Sequence, residues 1–191
     1  ESERLVGRAL KDRRDRIGIA TKVSSGLESA EAIVAACEDS LRRLQTDYVD
    51  LYQVHWPLRK IAFEDVVGTM SHLQEAGKIR AAGVCNYGPQ DMADQIAAGG
   101  MMVSNQLPYS LLSRAIEFEI LPMCERENIA VLAYSPLMQG LLTGKFRTAE
   151  EVPEGRARSR HFSSRRPAAR HGGDGCEEIT FRAIDQIREV A

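Results

Sequence analysis

Six polar residues fall at the ends of β-rich runs: Lys22, His55, Asn86, Gln106, and Tyr134 with Ser135. Lys22 closes Ile-Gly-Ile-Ala-Thr-Lys, and a lysine buried in such a run must find a partner or shift its pKa. His55 ends Asp-Leu-Tyr-Gln-Val-His-Trp-Pro, a near-continuous strand with the imidazole where the chain leaves the sheet. Taken singly, each has a structural reading: a lysine that reaches solvent, a histidine satisfied by packing. Taken together, they lie at the same end of successive strands. If those strands are parallel, the ammonium and the imidazole converge on one mouth, and a ring of polar side chains at that end is how a parallel barrel builds a site.

The elements that must hold these groups alternate along the chain. Strands are predicted at Arg16–Val23, Tyr48–His55, Ile79–Cys85, Met102–Leu107 and Ile129–Tyr134. From about Ser29 to Leu44 the residues Ile33, Val34, Cys37, Leu41 and Leu44 form one helical stripe, and Phe63, Val66, Val67, Met70 and Leu73 repeat it over Phe63–Ala76. Gly77 can supply a left-handed stop there, and Pro89 opens a short helix that ends at Gly99 and Gly100. Ser113 is predicted to cap a helix carrying Ile116, Ile120 and Cys124, and a last helix covers Glu177–Ala191. Every crossover is helical, so the strands must be parallel.

Five βα units with repeats of roughly 22 to 32 residues fit two α/β architectures. One is a five-stranded doubly wound sheet, for which 191 residues is comfortable; the other is part of an eight-unit barrel, which typically needs about 250. A doubly wound sheet calls for a glycine-rich phosphate loop after its first strand. Here Lys22 runs into Val-Ser-Ser-Gly, neither G-x-G-x-x-G nor a Walker loop, and the polar ring speaks for the barrel.

With 25 basic against 27 acidic side chains, 43% hydrophobic and 27% charged residues, the chain has the composition of a soluble globular domain. The near-neutral balance gives no general pull toward nucleic acid, and no apolar run is long enough for a membrane-spanning helix. Cys37, Cys85, Cys124 and Cys176 lie far apart with no zinc-ligand spacing, so they read as free thiols, with no metal site, in a reducing compartment taken as the cytoplasm. Residues 146–176 read as a long arginine-rich surface loop; Gly155–Gly173 holds six arginines, two histidines and no acid. A solvated flexible loop is the expectation for it, with a lid over cofactor phosphates through Arg165 and Arg166 as the second reading.

Five segments, in order over about 130 residues, resemble the aldo-keto reductases: Ile19–Lys22, Asp50–Pro57, Gly83–Tyr87, Ser104–Ser110, and Tyr134–Lys145, which reads Tyr-Ser-Pro-Leu-Met-Gln-Gly-Leu-Leu-Thr-Gly-Lys. The resemblance covers nearly the whole chain. It implies one domain over residues 1–191, a (β/α)8 barrel with about five of its eight units present. It also implies reduction of a small aldehyde or ketone with NADPH, through an aspartate, a tyrosine, a lysine and a histidine.

By match of motif, Lys22 would lower the tyrosine's pKa and His55 would orient the carbonyl. The aspartate and tyrosine would precede Glu1, and the last strand with its adenosine-phosphate loop would follow Ala191, so the chain itself is expected to be inactive. The resemblance further implies that Asn86 and Gln106 hold the nicotinamide carboxamide and that Tyr134 stacks on the ring. Ser135, Leu137, Gln139 and Lys145 would lie along the pyrophosphate, and Trp56 on the rim of the substrate pocket. Cys85 departs from the pattern, standing where the family often has serine and removing a strong donor near the carboxamide. A second function class is a cofactor-sensing regulatory module, like the family's channel-associated β subunits; those resemble asparagine at the position of His55, so the histidine favours catalysis.

Overall fold

The computed structural model describes residues 1–190. The first elements are α1 (Ser2–Leu10), β1 (Ala20–Val23), α2 (Ala30–Leu44), β2 (Val49–Val54), α3 (Phe63–Glu75) and β3 (Ile79–Cys85). They are followed by α4 (Pro89–Ala97), β4 (Ser104–Pro108), α5 (Ile120–Arg126), β5 (Ala130–Tyr134) and α6 (Glu177–Val190). The chain forms two compact units: Glu1–Leu107 with Ile116–Leu132, and Pro108–Ala115 with the chain from Ala133 onward.

The five strands form one sheet in the order β1-β2-β3-β4-β5. This order decides between the two architectures. A doubly wound sheet reverses direction and puts its first strand inside, whereas a barrel adds each strand beside the last. Here β1 lies at the edge. Its pairing with β2 is parallel, as are those of β2 with β3 and of β3 with β4.

Register gives the sheet two different faces. Val23, Tyr52, Val54 and Val84 pack with Ile33, Cys37, Val66, Met70 and Met92 in one buried cluster under the helices. Burying each large apolar side chain contributes about 1.5–3 kcal/mol before entropy is counted. Alternation puts Lys22, Gln53, Gly83, Cys85 and Gln106 on the opposite face. That face holds the candidate chemistry.

Local signals explain the helix ends. Ser29 Oγ accepts from the Ala32 N–H at 3.3 Å and caps α2, while Pro89 opens α4 with the Asp91 carboxylate accepting from Gly88 N–H at 3.2 Å. Gly7 lets α1 lie against the end of α2, because a Cβ there would stand 2.3 Å from the Leu44 carbonyl oxygen.

Two expectations are corrected. β1 begins at Ala20 rather than Arg16, since the Ile19 N–H is taken by the Asp50 carboxylate at 2.8 Å and residues Arg14–Arg16 form a 3-10 turn. Ser113 caps no helix: its N–H donates to the carbonyl and hydroxyl of Ser110, a 3-10 turn covers Ala115–Glu117, and α5 starts only at Ile120. Pro122 is the reason, because it fits the first turn of a helix and breaks one that began at Ser113.

The arginine-rich stretch is anchored at a few points, while Arg156, Arg158, Arg160, Arg165 and Arg170 stay exposed. Within the second unit, Leu141, Phe146, Val152, Ala157, Phe162, Phe181 and Ile184 form a core of their own. Arg166 is built into it. Its guanidinium bonds Glu177 at 2.6 Å, Glu154 at 3.2 Å and the Ala149 carbonyl at 2.6 Å, and lies 5.2 Å from the Phe162 ring centre. A guanidinium held by two carboxylates is a clamp, which removes Arg166 from the expected lid.

Candidate active site

Lys22 is half-buried in β1 and level with Gln53 of β2. The His55 N–H donates to the Val23 carbonyl at 3.1 Å, which carries the parallel ladder one residue past β2. His55 therefore keeps the parity of Gln53, and the ammonium and the imidazole leave the sheet on one face and at one end. Strand spacing and rise put their Cα atoms on the order of 8 Å apart. His55 is exposed, and so is Trp56, whose ring centre lies 6.3 Å from the imidazole's.

Asn86 follows β3 with φ of 60°, a left-handed conformation that asparagine tolerates better than most residues. Its N–H donates to the Gln106 carbonyl at 3.0 Å, and its Nδ2 donates to the His55 carbonyl at 3.2 Å and to Cys85 Sγ at 3.2 Å. Gln106 stands level with Cys85, and its Oε1 is buried without a hydrogen-bond partner. Cys85 is itself buried. Burial pushes its thiol pKa up, and the Lys22 ammonium pulls the other way without prevailing, so Cys85 is a thiol rather than a reactive thiolate.

Two supporting residues escaped the sequence reading. Gln53 is buried and donates through Nε2 to the Val84 carbonyl at 3.2 Å, locking β2 to β3 beneath the mouth. Asn105, wholly buried, accepts from Tyr87 N–H at 3.4 Å and donates to the Tyr87 carbonyl at 3.0 Å, which fixes the chain just after Asn86. The available signal was a polar residue within a predicted strand, which a buried fold keeps only where it is hydrogen-bonded.

The remaining candidates belong to the second unit. The Tyr134 carbonyl accepts from Tyr109 N–H at 3.4 Å, and Ser135 follows with φ of 53°. Met138, Gln139 and Gly140 then adopt φ of 46°, 55° and 104° in succession. Non-glycine residues in this region cost about 1–2 kcal/mol each, and such strain gathers where a backbone wraps a ligand. The Ser135 carbonyl accepts from Met138 N–H at 2.8 Å and that of Leu137 from Gly140 N–H at 2.9 Å, so the loop closes on itself. Leu137 and Lys145 are exposed, with the Lys145 ammonium 5.7 Å from the Phe146 ring centre. Arg156, unassigned from sequence, donates to the Gln139 carbonyl at 3.4 Å.

The sequence candidates thus form two groups: Lys22, His55, Trp56, Asn86 and Gln106 in the first unit, and Tyr134, Ser135, Leu137, Gln139 and Lys145 in the second. Each unit by itself offers a feature that suits part of a nicotinamide cofactor. In the first, Gln106 has a buried acceptor with no partner, of the kind a carboxamide N–H requires; in the second, the turn after Ser135 leads to an exposed cation, of the kind a pyrophosphate requires.

Comparison with known proteins identifies the family. The model of the aldo/keto reductase family matches residues 1–191. A methylglyoxal reductase, YeaE of Escherichia coli, is 42% identical over 140 residues, covering 72% of this chain and 49% of the relative. The glycerol dehydrogenase AKR11B4 of Gluconobacter oxydans superposes with a TM-score of 0.81 at 32% identity, over 100% of this chain and 59% of that one. An aldo/keto reductase of Klebsiella pneumoniae, solved with NADP and acetate, gives 0.68 at 31% identity, over 96% and 70%. The chain spans about half the length of the curated relatives it matches. Its sequential parallel sheet is part of the (β/α)8 barrel of these neighbours, and the chain belongs to the aldo/keto reductase family.

Proposed function

We propose that the full-length protein is an NADPH-dependent reductase of small aldehydes and ketones. The observation that carries this reading is the shared exit of Lys22 and His55 from one face and one end of β1 and β2. When bound, a reduced nicotinamide supplies the hydride that the carbonyl carbon accepts. His55 donates a hydrogen bond to the carbonyl oxygen and orients it, which stabilises the charge developing there. Lys22 sets a positive field at the same mouth, lowering the pKa of a neighbouring phenol that hands its proton to that oxygen. The phenol is the tyrosine of the family's four catalytic residues.

Gln106 Oε1 would accept from the carboxamide beside Asn86, and Tyr134 would stack on the ring. Ser135, Leu137, Gln139 and Lys145 would hold the pyrophosphate, and Trp56 would border the substrate. Methylglyoxal, which the Escherichia coli relative is named for, is the first substrate to try. The four cysteines are free and three are buried, which suits the cytoplasm.

The test is loss of reduced-nicotinamide absorbance by the full-length protein with methylglyoxal, run in parallel with NADPH and NADH. Turnover with preference for NADPH is expected, and none from residues 1–191 alone. Cofactor binding with no turnover on any small carbonyl compound would favour the regulatory module instead.

A further inference from the structure

Three of the six arginines between Gly155 and Gly173 are arranged unlike Arg166. Arg158, Arg160 and Arg170 line one concavity of about 530 Å³ together with Gln139, Ser159 and His171. No acidic residue lines it. Arg166, two-thirds of the way along the same stretch, is neutralised by Glu154 and Glu177, whereas these three guanidiniums form no ion pair among the described residues.

The walls are fixed. The Arg170 N–H donates to the Arg158 carbonyl at 3.0 Å, which ties the two sides of the concavity together. The Phe162 N–H donates to the Ser159 carbonyl at 3.0 Å, and the Phe162 ring is buried in the core of the unit. His171 lines the same hollow, and both its ring nitrogens are buried without a hydrogen-bond partner. An imidazole always carries at least one N–H, so the pocket wall holds an unspent donor, a state that native structures rarely leave unexplained.

Like charges gathered in one hollow repel, and no acidic group among the described residues pairs with them there. A tetrahedral oxyanion would do so. Its oxygens match the planar donor forks of guanidinium, and it brings the acceptor that His171 lacks. The hollow is larger than one such ion and leaves room for a small organic group attached to it.

We infer that Arg158, Arg160, Arg170 and His171 form a binding site for the phosphate group of a small phosphomonoester. The site lies wholly within the second unit and is read by binding, so it stands or falls apart from the reductase activity.

Inorganic phosphate is titrated calorimetrically into the full-length protein against a chloride control at equal ionic strength. Phosphate is expected to bind, with affinity at least tenfold weaker in the Arg160→Gln/Arg170→Gln double variant. An equal loss in an Arg165→Gln/Arg182→Gln control would show that only net charge matters and would overturn the proposal. So would unchanged affinity in the first double variant, or no phosphate binding at millimolar concentration by the wild type. Because the double variant could fail to fold, the His171 ring resonances of the wild type are followed in the same titration, and their failure to move also overturns the site. Repeating the titration under saturating NADPH is expected to leave phosphate binding unchanged, and competition between the two would place the phosphate in the cofactor's own site and overturn the proposal.

Discussion

Asn86 donates through Nδ2 to the main-chain carbonyl of His55 across 3.2 Å, so the residue that follows β3 fixes the point where the imidazole leaves β2. The bond needs asparagine twice over: the amide reaches across, and the backbone sits at φ of 60°. Asn86→Ala is expected to destabilise the protein by about 1–2 kcal/mol from backbone conformation and the lost bond together. Asn86→Gly should recover the backbone part in thermal unfolding and leave turnover low. Full turnover in the glycine variant would show that the amide neither places His55 nor contacts the cofactor.

Lys22→Met and His55→Ala in the full-length protein should each lower kcat by about a hundredfold or more, as expected for loss of a group tuning or directing proton transfer. The two should differ in pH profile. Removing the Lys22 charge should move the limb due to the phenol up toward its ordinary value of about 10, whereas His55→Ala should leave that limb in place. Identical profiles would remove the division of labour drawn from the shared mouth.

Gly7→Ala sets two effects against each other. Alanine stabilises a helix interior by about 0.5–1 kcal/mol over glycine. The new Cβ, however, would stand 2.3 Å from the Leu44 carbonyl oxygen, a backbone atom that cannot move alone, and overpacking of this kind costs about 1–3 kcal/mol. Net destabilisation is expected, read as a lower denaturant midpoint, and a more stable variant would mean that α1 shifts away from α2 at little cost.

Arg166→Gln tests the clamp in the second unit. Its removal leaves Glu177, only 29% exposed, without its cation, and the expected cost is about 1–3 kcal/mol after allowing for the exposure of Glu154. Cofactor affinity should hardly change, since the side chain faces Glu154, Glu177 and Ala149 rather than a ligand. A large loss of NADPH affinity at unchanged stability would restore the lid.

Much of this arrangement was legible in the residue order. Helical stripes such as Ile33, Cys37 and Leu41 report their own burial, and Lys22 and His55 stand at strand ends that periodicity alone locates. Strand neighbours were not legible, because a stripe says which face is covered and not which strand lies beside it; the barrel and the doubly wound sheet parted only when β1 was found at the edge. Partners distant in sequence were equally hidden. Nothing local says that Arg166 will meet Glu177, that Asn105 will hold Tyr87, or that Lys22 lies close enough to Cys85 to act on its thiol. Ser113 misled because a good cap was weighed without the proline nine residues on.

Asp50 belongs to the strand motif that carries His55, yet it works at the other end of β2. Its carboxylate accepts from the Ile19 N–H at 2.8 Å, from Arg14 at 2.9 Å and from Arg80 at 2.9 Å, with both guanidiniums over the Tyr48 ring. Partial burial acts to raise its pKa, but the Ile19 N–H and the two arginines outweigh it and hold the carboxyl below its ordinary range. A carboxylate with a depressed native pKa stabilises the fold above its unfolded value of about 3.9, and that contribution is lost as pH falls through the native value. Asp50→Asn should therefore be less stable than wild type by about 1–2 kcal/mol at neutral pH, with the gap closing below about pH 4. The measurement is urea unfolding of both proteins across that range. A gap that persists undiminished in acid would show that Asp50 acts through its hydrogen-bond geometry and not through its charge.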